Sequence, residues 1–228
     1  MKTVALLPMK ANSERVKGKN FKNFGGKPLF RWILDKLIEI DEIDKIVINT
    51  DAREILKAHG LEESSKIIIR DRKKEICGDL VSMNTIIDDD IQSIDSDIYM
   101  MTHTTNPLLE KKSIISAIKK YKNSLLKNKA DSLFTVTKLQ ERLYSKNGLP
   151  INHDPENLIR TQDLEPIYIE NSNLYLFTKD SFKTTNARIG LNPITYLTDD
   201  FESTDIDTKS DWEFAEITLE YYKKKLNE

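Results

Sequence analysis

Short, wholly apolar runs alternate along this chain with segments of helical periodicity, and that alternation constrains the fold more than any other feature. Val4-Ala5-Leu6-Leu7-Pro8 has no polar face, as expected of a parallel strand covered on both sides. A basic, glycine-containing stretch over residues 9–27 follows. Pro28 then suits the first residue of a helix in which Leu29, Trp32, Ile33, Leu37 and Ile40 cover one face. Lys45 to Asn49 predicts a second strand, residues 52–59 a helix that Gly60 can close, and Ile67 to Ile69 a third strand. Helices near 83–92 and 111–124, with strands near 97–102 and 131–137, continue the series. Repetition of this kind predicts an α/β fold, an open and mainly parallel sheet with helices on both faces.

From residue 140 to about 167 the alternation weakens into a polar stretch containing Gly148, Pro150, Pro155 and Pro166, read as a hairpin or arm. Asn173 to Phe177 resumes as a strand. The last helix begins after Thr208, which forms an approximate capping box with Asp211. Its apolar positions are Trp212, Ala215, Leu219 and Tyr222. There is no internal repeat, and Lys223-Lys224-Lys225 reads as a solvated helix end.

A chain of 228 residues fits one domain spanning 1–228 with an appended arm. Its size needs no disulfide or metal to fold, and seven Gly plus seven Pro are too few for disorder or collagen-like repeats. The single Cys77 excludes a disulfide framework or a Cys-rich metal site and suits a reducing compartment. The opening MKTVALLPMK turns polar too soon for a signal peptide. No apolar run approaches the ~18–20 residues of a membrane span, so the expectation is a cytoplasmic protein without membrane partners.

The net charge of −2 conceals a local excess: residues 1–30 carry Lys2, Lys10, Arg15, Lys17, Lys19, Lys22 and Lys27 against Glu14 alone. A pI near 6.0 argues against nucleic acid as the partner. A compact polyanion such as a nucleoside triphosphate fits better. The cations fall in the loop after the first strand, where a sheet of this class binds ligands at its carboxyl ends. Neither a G-x-G-x-x-G nor a P-loop pattern is present.

The segment Leu7 to Asn20, with Phe24-Gly25-Gly26-Lys27-Pro28-Leu29, resembles the signature of the CMP-sugar synthetases, specifically the acylneuraminate cytidylyltransferases. Further blocks resemble that family in order. They are Arg72 to Asp79, Thr104-Thr105-Asn106-Pro107-Leu108, Arg160-Thr161-Gln162-Asp163-Leu164, Tyr168-Ile169-Glu170-Asn171-Ser172 and Asp205-Ile206-Asp207-Thr208. Departures occur where Lys10 replaces the usual Arg, Ala11-Asn12 a flexible glycine region, His103 a Gln, and Ser172 the Gly after Glu-Asn. The spacing from Ser13 to Lys19 also resembles that of the Kdo-activating synthetases, whose Q-G-D-E-P stretch is absent here.

The resemblance implies a Rossmann-like nucleotidyltransferase that transfers CMP from CTP to the anomeric hydroxyl of a sialic-acid-like ulosonic acid, an acidic sugar acceptor. Kdo or a phosphorylated or phosphonate acceptor is the alternative. A non-catalytic nucleotide-sugar module is the alternative of another class. By the same resemblance, Pro8, Lys10, Ala11, Asn12, Ser13, Arg15, Lys19 and Asn20 bind the nucleotide, with Lys19, Lys10, Arg15 and Asp207 in catalysis. Arg72, Asp79, Ser82 and His103 border the base and ribose. Thr104, Thr105, Asn106, Arg160, Gln162, Glu170, Asn171 and Arg188 face the acceptor, and a homodimer is implied with the arm near 138–167 crossing to its partner.

Asp205 and Asp207, two apart on an extended segment, project to one side. Two adjacent carboxylates repel unless a cation or proton joins them. Mg²⁺ resolves that conflict and bridges protein to phosphate. Lys27 either holds phosphate or complements a carboxylate. The general base stays open between Asp207 and a metal-activated hydroxyl. Asp88-Asp89-Asp90 are expected to be solvated.

Overall fold

The structure, a computed structural model, describes residues 1–226, with side chains to Lys224. A seven-stranded sheet runs through its centre, built from β1 (Thr3–Leu6), β4 (Lys45–Thr50), β5 (Ile67–Asp71), β6 (Ile98–Thr102), β7 (Ser132–Leu139), β8 (Ile167–Phe177) and β9 (Pro193–Leu197). The spatial order is β5-β4-β1-β6-β8-β7-β9. β1 pairs in parallel with both β4 and β6, and β4 with β5. β8 runs antiparallel between β6 and β7, while β9 is parallel to β7.

The apolar run of β1 explains its central place. Val4 and Leu6 enter one core, with Ile87 and Ile91 of α3 (Met83–Ser93) and Phe182 of α5 (Lys179–Thr185). Ala5 and Leu7 enter another, with Ile33 and Leu37 of α1 (Leu29–Ile38), Leu56 of α2 (Arg53–Ala58) and Ile114 and Ile118 of α4 (Lys111–Leu126). Side chains alternate across a strand, so a run with no polar member needs cover on both faces. The expected helices on both faces are present.

A two-stranded hairpin of β2 (Asn23–Phe24) and β3 (Lys27–Pro28) leads into α1. Gly25 and Gly26 have φ of +57° and +106° at its turn, a conformation that costs a residue with Cβ. Pro28 takes the cap position just ahead of the helix. The hairpin packs on α6 (Lys209–Leu226): Phe24 and Leu29 share a third cluster with Trp212, Ala215 and Leu219. Thr208 Oγ1 accepts from the Asp211 amide, and Asp211 Oδ2 accepts from the Asp207 and Thr208 amides, completing the expected capping box. Residues 140–166 form an irregular arm with one bridge, Tyr144 to Pro150.

One surface expectation is corrected. Asp90 is buried and Asp89 half-buried, not solvated: Arg70 pairs with both, Lys73 Nζ lies 2.6 Å from Asp89 Oδ1, and Asn49 Nδ2 donates to Asp90 Oδ1 at 2.8 Å. Consecutive helix positions are 100° apart, which leaves two acids free to face a basic strand end while Asp88 stays outside. Lys223 and Lys224 are exposed, as expected of a solvated helix end, and Lys223 Nζ also donates to the Gly25 carbonyl at 3.2 Å and lies over the Trp32 ring. The Lys225 side chain lies outside the described residues.

Candidate active site

The carboxyl ends of β1, β5 and β6 open onto a cleft of about 490 Å³. The loop after β1 supplies Pro8, Lys10, Ser13, Arg15, Lys19 and Asn20, and the segment before α6 supplies Asp205 and Asp207 from the opposite side. His103, Thr104 and Thr105 follow β6 into the floor, and Arg72, Asp79 and Arg188 complete the wall.

Lys19 joins the two ends of the chain. A short helical turn, Lys19–Phe21, follows Gly18 in left-handed conformation and turns the ammonium inward. Lys19 is 8% exposed. Its Nζ donates to the Ile206 carbonyl at 2.6 Å and to Asp207 Oδ1 at 3.2 Å, and Arg15 Nη2 reaches the same carboxylate oxygen at 3.1 Å. Asn20 braces the loop: its Nδ2 donates to the Lys10 carbonyl at 2.8 Å, while Thr104 Oγ1 donates to its Oδ1 at 2.6 Å. Lys19 is thus preorganised by a backbone carbonyl, and it shares the Asp207 carboxylate with Arg15.

Asp205 is different. Its Oδ1 is buried and accepts no hydrogen bond among the described residues. Burial raises its pKa, and the neighbouring Asp207 charge adds to the rise. An orphaned carboxylate oxygen two residues from a second cleft-lining carboxylate matches the one or two carboxylates by which a protein holds Mg²⁺ alongside substrate phosphates.

His103 is half-buried, and its pKa is pushed down to about 3, chiefly by burial and then by the nearby Arg188 and Lys19 charges. The imidazole is neutral at physiological pH. Lys10 is ion-paired with Asp79, whose pKa falls because that ammonium donates to it. The Arg188 guanidinium lies over the Tyr175 ring, 3.9 Å from its centroid, with Nη2 3.7 Å from Glu170 Oε1.

The cytidylyltransferase family model matches residues 4–226. The chain belongs to the cytidylyltransferase family. It is 24% identical over 228 residues to the pseudaminic acid cytidylyltransferase of Campylobacter jejuni serotype O:2, covering 95% of this chain and 96% of that protein. It is 25% identical over 224 residues to the N-acylneuraminate cytidylyltransferase of Streptococcus agalactiae serotype V, covering 93% of this chain and 52% of that longer protein. In fold it is similar to a CMP:2-keto-3-deoxy-manno-octonic acid synthetase solved with CTP, at a TM-score of 0.69 and 13% identity, covering 97% of this chain and all of the other. The cytidylyltransferase is a CTP-dependent enzyme, and the non-catalytic module gives way to it.

Within the cytidylyltransferase cleft, several sequence-selected residues stand apart. Ser82 is exposed and caps α3, its Oγ accepting the Asn84 amide at 3.3 Å. Ala11 and Asn12 are not in the lining; the Ala11 amide donates to Asp51 Oδ1. Asn106 lies buried beneath the floor, near the Thr204 carbonyl. Lys27 takes the carboxylate alternative, 2.6 Å from Asp35 Oδ2. Arg160 is held on the exposed arm by Asp163, and Gln162 is exposed beside it, so neither meets Arg188 within one protomer.

Glu170 and Asn171 line a neighbouring hollow of about 390 Å³ that shares Ser172 and Asp205 with the cleft. Pairing of β7 with β8 jumps from Val136–Glu170 to Phe134–Tyr175, and the extra residues bulge outward with Ser172 at φ +58°. Asn171 Nδ2 pins the bulge to Thr137, Thr198 and Ser203. A glycine after Glu-Asn would take that left-handed φ without strain.

Val81, Met83 and Ile86, not singled out from the sequence, form an apolar side of the cleft. Their signal was present: Val81 just precedes α3 and Met83 and Ile86 fall in its first turns, directly after the Arg72 to Asp79 block.

Proposed function

We propose that this cytidylyltransferase transfers CMP from CTP to the anomeric hydroxyl of a sialic-acid-like ulosonic acid, with Mg²⁺ held by Asp205 and Asp207. The carrying observation is the contact between Lys19 of the opening loop and Asp207 near the end of the chain, which brings cations and a carboxylate pair to one cleft.

The acceptor oxygen forms a bond to the α-phosphorus as its hydroxyl proton passes to Asp207 or to water, the bond from that phosphorus to the bridging oxygen breaks, and pyrophosphate leaves with the electron pair. Negative charge grows on the phosphoryl and departing oxygens. Lys19 and Arg15 hold positive charge beside them, and because Lys19 is fixed by the Ile206 carbonyl, little reorganisation accompanies the reaction. Bound Mg²⁺ would neutralise phosphoryl charge and lower the pKa of the attacking hydroxyl. Arg188 supplies a guanidinium for the acceptor's carboxylate, and neutral His103 offers a hydrogen bond without adding charge.

A homodimer accords with the arm. Tyr144, Leu149, Ile151, Leu158 and Ile159 are all at least 46% exposed, and Arg160 and Gln162 reach an acceptor only by crossing to a second copy.

Pyrophosphate release from CTP and Mg²⁺ with N-acetylneuraminate, legionaminate, pseudaminate and Kdo tests the acceptor class. Turnover with a nine-carbon acid is expected, and silence with all three of them overturns it. Lys19→Ala should lower kcat by about 10²–10³ in the folded protein, the usual cost of one preorganised stabiliser. Asp207→Ala should abolish turnover at ordinary Mg²⁺; near-normal turnover removes the aspartate pair from the mechanism.

A further inference from the structure

Arg72 reaches the cleft at the end of a buried polar relay. Its Nε donates to Asn49 Oδ1 at 2.9 Å, and its Nη2 donates to the Asn49 carbonyl at 2.8 Å and the Met9 carbonyl at 3.3 Å. Nη1 alone of the guanidinium nitrogens makes no hydrogen bond to protein among the described residues. Behind Asn49, its Nδ2 donates to Asp90 Oδ1 at 2.8 Å. Asn49 and Asp90 are both fully buried. Arg70 pairs with Asp90 from the other side, and its Nη2 donates to Ser93 Oγ.

The chemistry of the relay fixes its polarity. An ionised carboxylate accepts only, so Asn49 must turn Nδ2 toward Asp90 and Oδ1 toward Arg72. Were the amide reversed, its NH₂ would face the Arg72 Nε–H and two donors would oppose each other in a buried site. Asp90 therefore selects the amide orientation that holds the guanidinium, although it does not line the cleft. A buried carboxylate is costly, and its Oδ1 is met from two strands, by Asn49 of β4 and Arg70 of β5, which argues for more than packing.

We propose that Asn49 and Asp90 are positioning residues that aim Nη1 of Arg72 at the nucleoside end of CTP. Two donors on one nitrogen suit adjacent acceptors such as a pyrimidine carbonyl or ribose oxygens. The apolar side made by Met83 and Ile86 belongs to α3, the helix that carries Asp90, and suits a base. The phosphates instead meet Lys10, Arg15 and Lys19. The inference rests on CTP occupying the cleft as proposed above.

Calorimetric titration of the full chain with CTP, CMP and inorganic triphosphate separates the two ends of the ligand. Asp90→Ala should weaken CMP and CTP roughly tenfold, the effect of losing one hydrogen bond to a charged group, and leave triphosphate affinity unchanged. Asp90→Asn retains an acceptor oxygen and should recover most of the loss. In an Arg72→Ala background Asp90→Ala should add nothing. If Asp90→Ala fails to fold, Asn49→Ala carries the same expectations. Unchanged CMP affinity in folded Asp90→Ala or Asn49→Ala, or losses that multiply with Arg72→Ala, overturns the relay. Unchanged CMP affinity in Arg72→Ala overturns the placement of the nucleoside end.

Discussion

Glu202 lies three residues before Asp205 and is 3% exposed. Its Oε1 accepts from Ser113 Oγ at 2.8 Å, its Oε2 accepts nothing among the described residues, and its backbone carbonyl accepts from Asn173 Nδ2. Burial, with Glu110 and Asp199 nearby, pushes its pKa up to about 7 against the opposing pull of Ser113 and Lys112. A carboxyl whose folded pKa is raised stabilises the fold fully below its unfolded pKa and loses that contribution as pH climbs through the folded value. Taking 4.5 unfolded and about 7 folded, linkage gives a penalty of about 1 kcal/mol at pH 5 and about 3 kcal/mol at pH 8. Glu202→Gln keeps the shape and cannot ionise. The stability of the variant relative to the wild type should therefore rise by about 2–3 kcal/mol between pH 5 and pH 8. Urea unfolding at several pH values, with m held common, measures that difference while the other titrating groups largely cancel. Parallel stability profiles for the two proteins would show that Glu202 is not buried in its charged form, and the reasoning would fail.

Ser82→Ala should cost about 0.5–2 kcal/mol of stability through the lost α3 cap, with KM for CTP unchanged; a raised KM in steady-state assays would return Ser82 to the nucleotide site. Gly25→Ala places a Cβ 2.2 Å from Leu219 Cδ2 at a φ of +57°, so thermal unfolding should show a loss of about 1–3 kcal/mol. An unaltered Tm would mean that the hairpin yields to α6 freely.

Much of this molecule was legible without coordinates. The apolar run Val4 to Leu7 had to be a strand covered twice, because no polar residue interrupts the pleat, and the cations after it had to lie at the carboxyl end. Thr208 and Asp211 announced the start of α6 through local hydrogen bonding alone. Such features depend on neighbours in sequence, where period and capping chemistry are visible.

Other features depended on distant partners. Nothing within Asp88-Asp89-Asp90 distinguishes a solvated triplet from one facing Arg70 and Asn49, since burial is decided by what packs opposite. Ser82 resembles a nucleotide contact until the start of α3 gives its hydroxyl an amide to accept. β8 enters the sheet reversed between β6 and β7, and its bulge places Ser172 over the cleft and Asn171 beside it. The chain's sequence determined the alternating architecture and the chemistry available at its two ends, because periodicity and charge are local properties. Only the tertiary structure decided that Lys19 and Asp207 touch, that Asp205 keeps an unpartnered oxygen and that Asp90 stands behind Arg72, because those relations arise when segments far apart along the chain exclude water together.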